Sequence, residues 1–225
     1  MKIWHVSDTH CKQDQLVIPV GIDTVVHSGD ASNQRDPFLN EAELHRFIDW
    51  LADLPIKNRV FVAGNHDTSL EKGLITADYI RSRGIVYLNN EDIIIDGLKF
   101  WGSPFTTAYG DWAFMKARHK ICRVWETIPD DTDILVTHGP PYNILDSTYN
   151  SDNKIELCGD TSLMKRIMKL NLKLMCFGHI HSTHDIRNAG TRTISGSSTI
   201  YSNGSCCDDG RNLALTSHGN IIEIS

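Results

Sequence analysis

The sequence predicts an α/β fold, a four-layer α/β/β/α sandwich of two mixed β-sheets flanked by helices. Three observations carry that prediction. Short apolar runs rich in β-branched and aromatic residues, such as Val60-Phe61-Val62-Ala63, stop at a glycine and read as strands buried on both faces. Early in the chain, segments with apolar residues at helical spacing alternate with these runs, as in βαβ units. The end of the chain is instead rich in strand-like segments, which calls for a second packed sheet.

Taken in order, residues 2–8 and 22–28 are the first two strands, each followed by polar side chains. A polar loop leads to a helix in which Asn40 and Glu43 make a capping box ahead of Leu44, Phe47, Ile48 and Leu51. Residues 59–63 form the third strand. A second helix is expected over about 70–83, closed by Gly84 in the left-handed conformation. Short strands follow at 85–88, 92–96 and 98–104. Residues 111–128 read as one helix with Phe114, Ala117, Ile121, Val124 and Ile128 on a single stripe. Residues 133–141 form a strand that Pro140-Pro141 ends. A polar loop, 142–159, precedes a helix with Asp160 as N-cap and Leu163, Ile167 and Leu170 inward. Strands over 172–181, 191–200 and 212–224 finish the chain.

The composition is that of an ordinary globular protein, with 40% hydrophobic and 22% charged residues in 225. Nothing in it marks a linker, a repeat or a low-complexity run, so one domain spanning 1–225 is expected. A net charge of -6 argues against a broad basic surface, and no stable nucleic-acid partner is expected. Apolar runs fall far short of the ~18 residues a membrane span needs. Met1-Lys2 leads straight into a strand-like IWHV, which predicts no leader segment and a cytoplasmic protein. The six cysteines form no CxxC pair and read as free thiols in a reducing compartment.

Chemistry gathers at strand ends. Five of them carry groups that bind metals: Asp8-x-His10, Gly29-Asp30, Gly64-Asn65-His66-Asp67, His138-Gly139 and Gly178-His179-x-His181. Five unrelated turn residues would have to agree by coincidence for this to mean nothing. In α/β proteins the carboxyl ends of the strands form the ligand crevice. Asp8 and His10 are two apart, as are His179 and His181, so each pair would share one face of a strand. Carboxylate, imidazole and amide-oxygen donors suit Mn²⁺, Fe²⁺ or Zn²⁺ better than Ca²⁺ or Mg²⁺. The donors are too many for one open ion and fit two that share a bridging carboxylate. Two divalent ions outweigh the carboxylates of Asp8 and Asp30, and the surplus charge attracts a phosphate and acidifies a bound water.

These blocks, in this order and intact from Asp8 to His181, resemble the calcineurin-like metallophosphoesterase superfamily. The resemblance implies that Asp8, His10 and His181 hold a first ion, that Asn65, His138 and His179 hold a second, and that Asp30 bridges them. It implies two divalent transition ions, Mn²⁺ foremost with Fe or Zn as alternatives. His66 would be the catalytic residue, contacting the phosphate and protonating the leaving oxygen. Asp67 would support the loop or the imidazole, or else cap a helix, and Asn33 and Asp67 are candidate substrate contacts. The activity implied is phosphoester hydrolysis by in-line attack of a metal-bridging hydroxide. THGPPYNILD and PFTTAYGDWAF are similar to the small metallophosphoesterase-domain proteins that hydrolyse cyclic nucleotides and related phosphodiesters. A small phosphodiester, above all a nucleotide, is therefore the expected substrate. A phosphomonoesterase or a nuclease with the same centre is the alternative, and a non-catalytic scaffold ranks last because no ligand residue is missing.

One departure narrows the branch. Asp30 continues into Ala31-Ser32-Asn33-Gln34-Arg35, without the D-R-G segment of Ser/Thr protein phosphatases, so the partner that orients His66 is left unassigned. Lys116, Arg118, Lys120 and Arg123 give one helix a basic side, and Trp101, Tyr109 and Trp112 read as core or rim packing. Asn203 and Ser205 fall in a polar turn expected to border the pocket.

Overall fold

The computed structural model describes residues 1–224. β1 (Lys2–Val6), β2 (Thr24–His27) and β3 (Asn58–Phe61) lie side by side in parallel, with α1 (Pro37–Asp53) between the second and third in the chain. Two short helices, α2 (Thr68–Glu71) and α3 (Ala77–Ser82), precede β4 (Val86–Tyr87), which extends the parallel set. The antiparallel pair β5 (Glu91–Ile95) and β6 (Leu98–Ser103) begins a second sheet. A ribbon of β7 (Thr106–Thr107) and β8 (Met115–Lys116) leads into α4 (Arg118–Trp125). β9 (Ile134–Thr137) pairs with β6, and the hairpin of β10 (Ser147–Tyr149) and β11 (Ile155–Leu157) precedes α5 (Thr161–Ile167). β12 (Leu174–Phe177), β13 (Gly190–Arg192) and β14 (Ile200–Asn203) complete the second sheet. β15 (Asn220–Glu223) returns to the edge of the first, antiparallel to β1.

The strand orders are β15-β1-β2-β3-β4 and β13-β14-β12-β9-β6-β5. Side-chain alternation then builds the layers. Ile3, Val26 and Val60 share one buried cluster with Ile134, Val136, Leu174 and Cys176, which seals the two sheets face to face. Their neighbours Trp4, Val25 and Phe61 point the other way, onto Leu44, Phe47, Ile48 and Leu51 of α1. On the far side Leu135 and Met175 meet Ile121 and Trp125 of α4 and Leu163 and Ile167 of α5. The result is the expected α/β/β/α order, held by side chains each worth about 1.5–3 kcal/mol of burial.

Several element boundaries differ from expectation. α1 starts earlier, because Asp36 accepts from the Phe38 and Leu39 amides and Pro37 occupies the first helical position. The Asn40 and Glu43 side chains are committed elsewhere. Asn40 Nδ2 donates to Ser32 Oγ and to the Gln34 and His66 carbonyls, and Glu43 accepts from the Asn33 and Gln34 amides. The helix expected over 70–83 is broken at Gly73, whose φ is +71°, and restarts where Thr76 Oγ1 accepts from the Tyr79 amide. Gly84 does take the left-handed conformation, at φ +76°.

The segment 111–117 is not helical, because Met115–Lys116 pairs with Thr106–Thr107 and Phe114 has a φ of +52°. The expected polar loop 142–159 contains the β10–β11 hairpin. In place of the two long C-terminal strands stand the short segments β13, β14 and β15, with an isolated bridge from Leu215 to Cys207. Asp160 does cap α5, accepting from the Leu163 amide.

Candidate metal centre

β1, β2 and β3 run parallel in one sheet, and β9 and β12 run parallel in the other, so their carboxyl ends meet at one rim. Asp8, Asp30, Asn65, His66, His138, His179 and His181 all follow those ends, and His10 lies two residues beyond Asp8. The pairing of Asp8 with His10, and of His179 with His181, does not come from a shared strand face. β1 stops at Val6 and β12 at Phe177; the residues beyond them turn through left-handed backbone. Asp8, His10, Asp30 and His179 have φ of 51°, 42°, 56° and 69°, a region that non-glycine residues occupy at a cost. Two glycines make room for this bend. A methyl on Gly64 would fall on the Asp30 carboxylate and come 2.7 Å from His138 Cε1, and one on Gly178 would fall on Asp8 Oδ2.

Three imidazoles are fixed from behind. His10, His138 and His181 each direct Nδ1 at a backbone carbonyl, Ser32 at 3.2 Å, Ser28 at 2.9 Å and Asp208 at 2.8 Å. Donation of Nδ1–H to these acceptors leaves every Nε2 facing inward, the arrangement that orients metal-binding histidines. There His181 Nε2 lies 3.4 Å from His10 Nε2 and 3.2 Å from Asp8 Oδ1. His138 Nε2 lies 2.9 Å from Asn65 Oδ1 and 3.3 Å from Asp30 Oδ2.

The donors fall into groups whose atoms lie within 4.8 Å of one another: Asp8 with His10 and His181, Asp30 with His138 and His179, and Asp30 with His10 and His66. Asp30 thus belongs to two groups and stands between them.

The electrostatics show how the cluster holds its charge. Burial lowers His10 to about 4 and His179 to about 3, so neither carries a charge of its own at neutral pH. Burial also opposes charge on His138 and His181, but Asp30 and Asp8 beside them outweigh it and raise both to about 9. Asp8 and Asp30 resist the same burial and stay well below the usual carboxylate range because of the surrounding imidazoles. At neutral pH the protons held by His138 and His181 balance the two buried carboxylates, and bound ions would take the place of those protons. Divalent transition ions fit that donor set.

The support behind the donors is equally complete. Asp8 accepts from the His179 amide at 3.0 and 3.1 Å and from Ser205 Oγ at 2.8 Å. Asp30 Oδ1 accepts from the His66 amide at 2.7 Å. Asp67 is fully buried, which removes it from any contact with substrate, and it caps no helix with its side chain. Its carboxylate accepts from the amides of Asp30, Ala31, Ser32 and Gly64 and from Ser32 Oγ. Burial and the Asp30 carboxylate raise it to about 6 against these donors. Asp67 therefore clamps the loop that carries Asp30 to the loop that carries Asn65.

His66 is held by residues the motifs do not contain. Its ring lies on Trp112, with centroids 4.3 Å apart and planes inclined by 31°, and meets His10 edge-on at 4.8 Å. Nδ1 is 3.5 Å from the Asn33 carbonyl, and Nε2 is 4.0 Å from Asp30 Oδ2. Arg35 covers Trp112, 4.8 Å from the ring centroid, and donates to the Asp111 carbonyl. Trp112 reaches the site because the next residue, Ala113, donates its amide to the Asn65 carbonyl at 3.1 Å. These are the partners that the sequence left unassigned.

The profile of the calcineurin-like phosphoesterases matches residues 1–183. The chain belongs to that family. It is 28% identical over 226 residues to metallophosphoesterase domain-containing protein 1 of Homo sapiens, covering 90% of this chain and 65% of that protein. The chain therefore spans just under two thirds of that relative. UPF0046 protein C25E10.12 of Caenorhabditis elegans is 30% identical over 222 residues, with 90% and 74% covered. A solved crystal structure superposes with a TM-score of 0.69 over 90% of this chain and 89% of its own; at 16% identity that likeness is one of fold. Family membership makes residues 1–183 a calcineurin-like phosphoesterase domain, and its His and Asp groups are ones that could hold metal ions.

A cavity opens over the centre. It holds about 350 Å³ and is lined by His10, Asp30, Asn65, His66, His179 and His181. Tyr109, Thr148, Asp209 and Leu213 also line it. Tyr109 carried a sequence signal, standing in the PFTTAYGDWAF segment whose resemblance was noted from the sequence. Thr148, Asp209 and Leu213 carried none, because the hairpin and the C-terminal turns that bring them there follow no periodic pattern.

Asn33 is exposed beside His66, whereas Asn203 and Ser205 are fully buried. Ser205 supports Asp8, and Asn203 Nδ2 holds the Ile180 carbonyl of the Gly178–His181 turn. Trp101 is core. Lys116, Lys120 and Arg123 line a separate cleft, and Arg118 donates to the Cys158 and Gly159 carbonyls. Among the described residues no helix is long and apolar enough to cross a membrane.

Proposed function

We propose that the protein is a phosphodiesterase acting on nucleotides or other small phosphodiesters. The observation that carries this reading is that Asp30 groups on one side with His138 and His179 and on the other with His10, itself a member of the Asp8 and His181 group, with the His66 ring beside it. Asp8, His10 and His181 would hold one ion, and Asn65, His138 and His179 the other, with Asp30 shared. Mn²⁺ is the metal of first choice for this mixed oxygen and nitrogen set. When bound, the ions supply positive charge for the phosphate and acidify a water that serves as nucleophile.

The remaining work belongs to the chain. Asn33, exposed at the mouth, contacts the substrate. His66 directs Nδ1–H at the Asn33 carbonyl, which leaves Nε2 as the atom that gives its proton to the departing oxygen. Asp30, 4.0 Å from Nε2, keeps the imidazole turned toward the centre. The six cysteines are all unpaired, which supports a reducing, cytoplasmic setting.

The test is hydrolysis of bis-p-nitrophenyl phosphate and p-nitrophenyl phosphate by metal-stripped protein as Mn²⁺ is returned, alongside cyclic nucleotides. Restored diester hydrolysis, lost together with metal in Asp30→Ala, is the expected result. Faster turnover of the monoester would make the enzyme a monoesterase, and inactivity with Mn²⁺, Fe²⁺ and Zn²⁺ alike would refute the reading.

A further inference from the structure

The cavity over the centre adjoins a second chamber of about 340 Å³, and the two share Tyr109, His179 and Ile180 as lining. His66 lines the first and not the second, so the chamber opens on the His179 side of the centre. Its other walls include Thr107 and Ala108 at the end of β7, Arg118 at the start of α4, and Glu156 and Cys158 around β11.

The chamber's size lies within the roughly 300–1,000 Å³ of small-molecule sites, large enough for a nucleoside and too small for a polymer. Its chemistry is mixed. The Tyr109 ring and the side chains of Ala108 and Ile180 offer apolar surface. Arg118 is steadied by the Gly159 carbonyl at 3.3 Å and the Cys158 carbonyl at 3.4 Å, and its remaining N–H groups are donors to spare. Glu156 supplies an acceptor. Donors and acceptors beside flat apolar surface match a base or sugar better than an aliphatic tail.

We propose that this chamber receives the ester arm that stays on phosphorus, a nucleoside or a group of that size and polarity, while the leaving group departs on the His66 side. The inference rests on the phosphodiesterase reading and adds which arm of the diester is selected, and by what. A monoester has no such arm and gains nothing from the chamber.

Two substrates isolate the effect, thymidine 5′-p-nitrophenyl phosphate and p-nitrophenyl phosphate, which share a leaving group and differ in the nucleoside arm. Ala108→Trp fills the chamber from an exposed position, and Arg118→Gln removes the guanidinium. The expected result in each is a fall of about tenfold in the ratio of diester to monoester kcat/KM, carried by KM, with metal content unchanged. An unchanged ratio in both variants, or a larger loss on the monoester, overturns the chamber's role. Wild-type protein that turns over neither substrate with Mn²⁺ overturns the underlying phosphodiesterase reading instead.

Discussion

The indole of Trp112 packs against the imidazole of His66, 4.3 Å between centroids with the planes inclined by 31°, and the guanidinium of Arg35 covers the indole in turn. This stack does for His66 what a hydrogen-bonded carboxylate does for many catalytic imidazoles: it fixes the ring plane. Replacing Trp112 by Ala frees His66 to rotate away from the centre. We expect kcat to fall by about 10- to 100-fold, the loss that follows a small misplacement of a reacting group. Metal content should be unchanged, and Trp112→Phe should recover most of the rate. A Trp112→Ala enzyme with full kcat would show that the stack is only packing.

His66 itself contributes to a cluster that includes Asp30 and His10, yet Asp8, Asn65, His138, His179 and His181 surround the centre without it. Removal of its ring should leave metal binding intact. His66→Ala is expected to retain both ions and to lose about 10²- to 10⁴-fold in kcat, the usual weight of a general acid. Metal analysis of the purified variant decides the matter, because loss of an ion would make His66 a ligand and not the acid.

Asp67 makes no contact with the cavity, but its carboxylate gathers amide protons from Asp30, Ala31, Ser32 and Gly64. Asp67→Ala strands those buried donors and unfastens the loop that aims Asp30. Each unsatisfied donor is expensive, so a loss of about 3 kcal/mol or more in stability is expected. Denaturant unfolding of the metal-free protein reads that loss. Titration with Mn²⁺ should in addition show weakened binding in the folded variant, an effect that plain destabilisation of a distant residue would not produce.

Much of the site was legible because its residues sit next to the apolar runs that form the strands. Gly29-Asp30 after β2 and Gly64-Asn65-His66 after β3 are examples. The mechanism of convergence was not. Left-handed backbone at Asp8, His10 and His179 turns the chain beyond the strand, and sequence periodicity says nothing about single residues of that kind. The start of α1 was misread because Asn40 and Glu43 satisfy a capping pattern while Asp36-Pro37 satisfies another, and only tertiary contacts choose between them. Trp112 was hidden for a similar reason. Its place on His66 depends on a two-residue ribbon and one amide bond from Ala113 to Asn65, and neither leaves a local signature. The four layers were easier, since strands that alternate Ile3 with Trp4 and Leu135 with Val136 state which residues face which layer.

Beneath the centre, His5 bridges Ser202 Oγ at 2.7 Å and Ser28 Oγ at 2.9 Å, and the Ser28 carbonyl accepts from His138. His5 is fully buried, and that burial pulls its pKa from 6.5 down to about 3. His27, buried beside Thr9, is lowered to about 3 for the same reason. In both cases the folded protein refuses a proton that the unfolded chain accepts. Their contribution to stability is therefore complete above pH 6.5 and is lost as the pH falls toward 3. Over that window each imidazole lowers stability by about 1.4 kcal/mol per pH unit. His5→Gln keeps hydrogen-bonding groups in place and removes the titration. Urea midpoints of the metal-free protein, followed from neutral pH downward, should fall less steeply for the variant than for the wild type. Parallel slopes would mean that His5 takes up its proton in the folded state as readily as in the unfolded one, and that the neutral bridge between Ser28 and Ser202 does not persist.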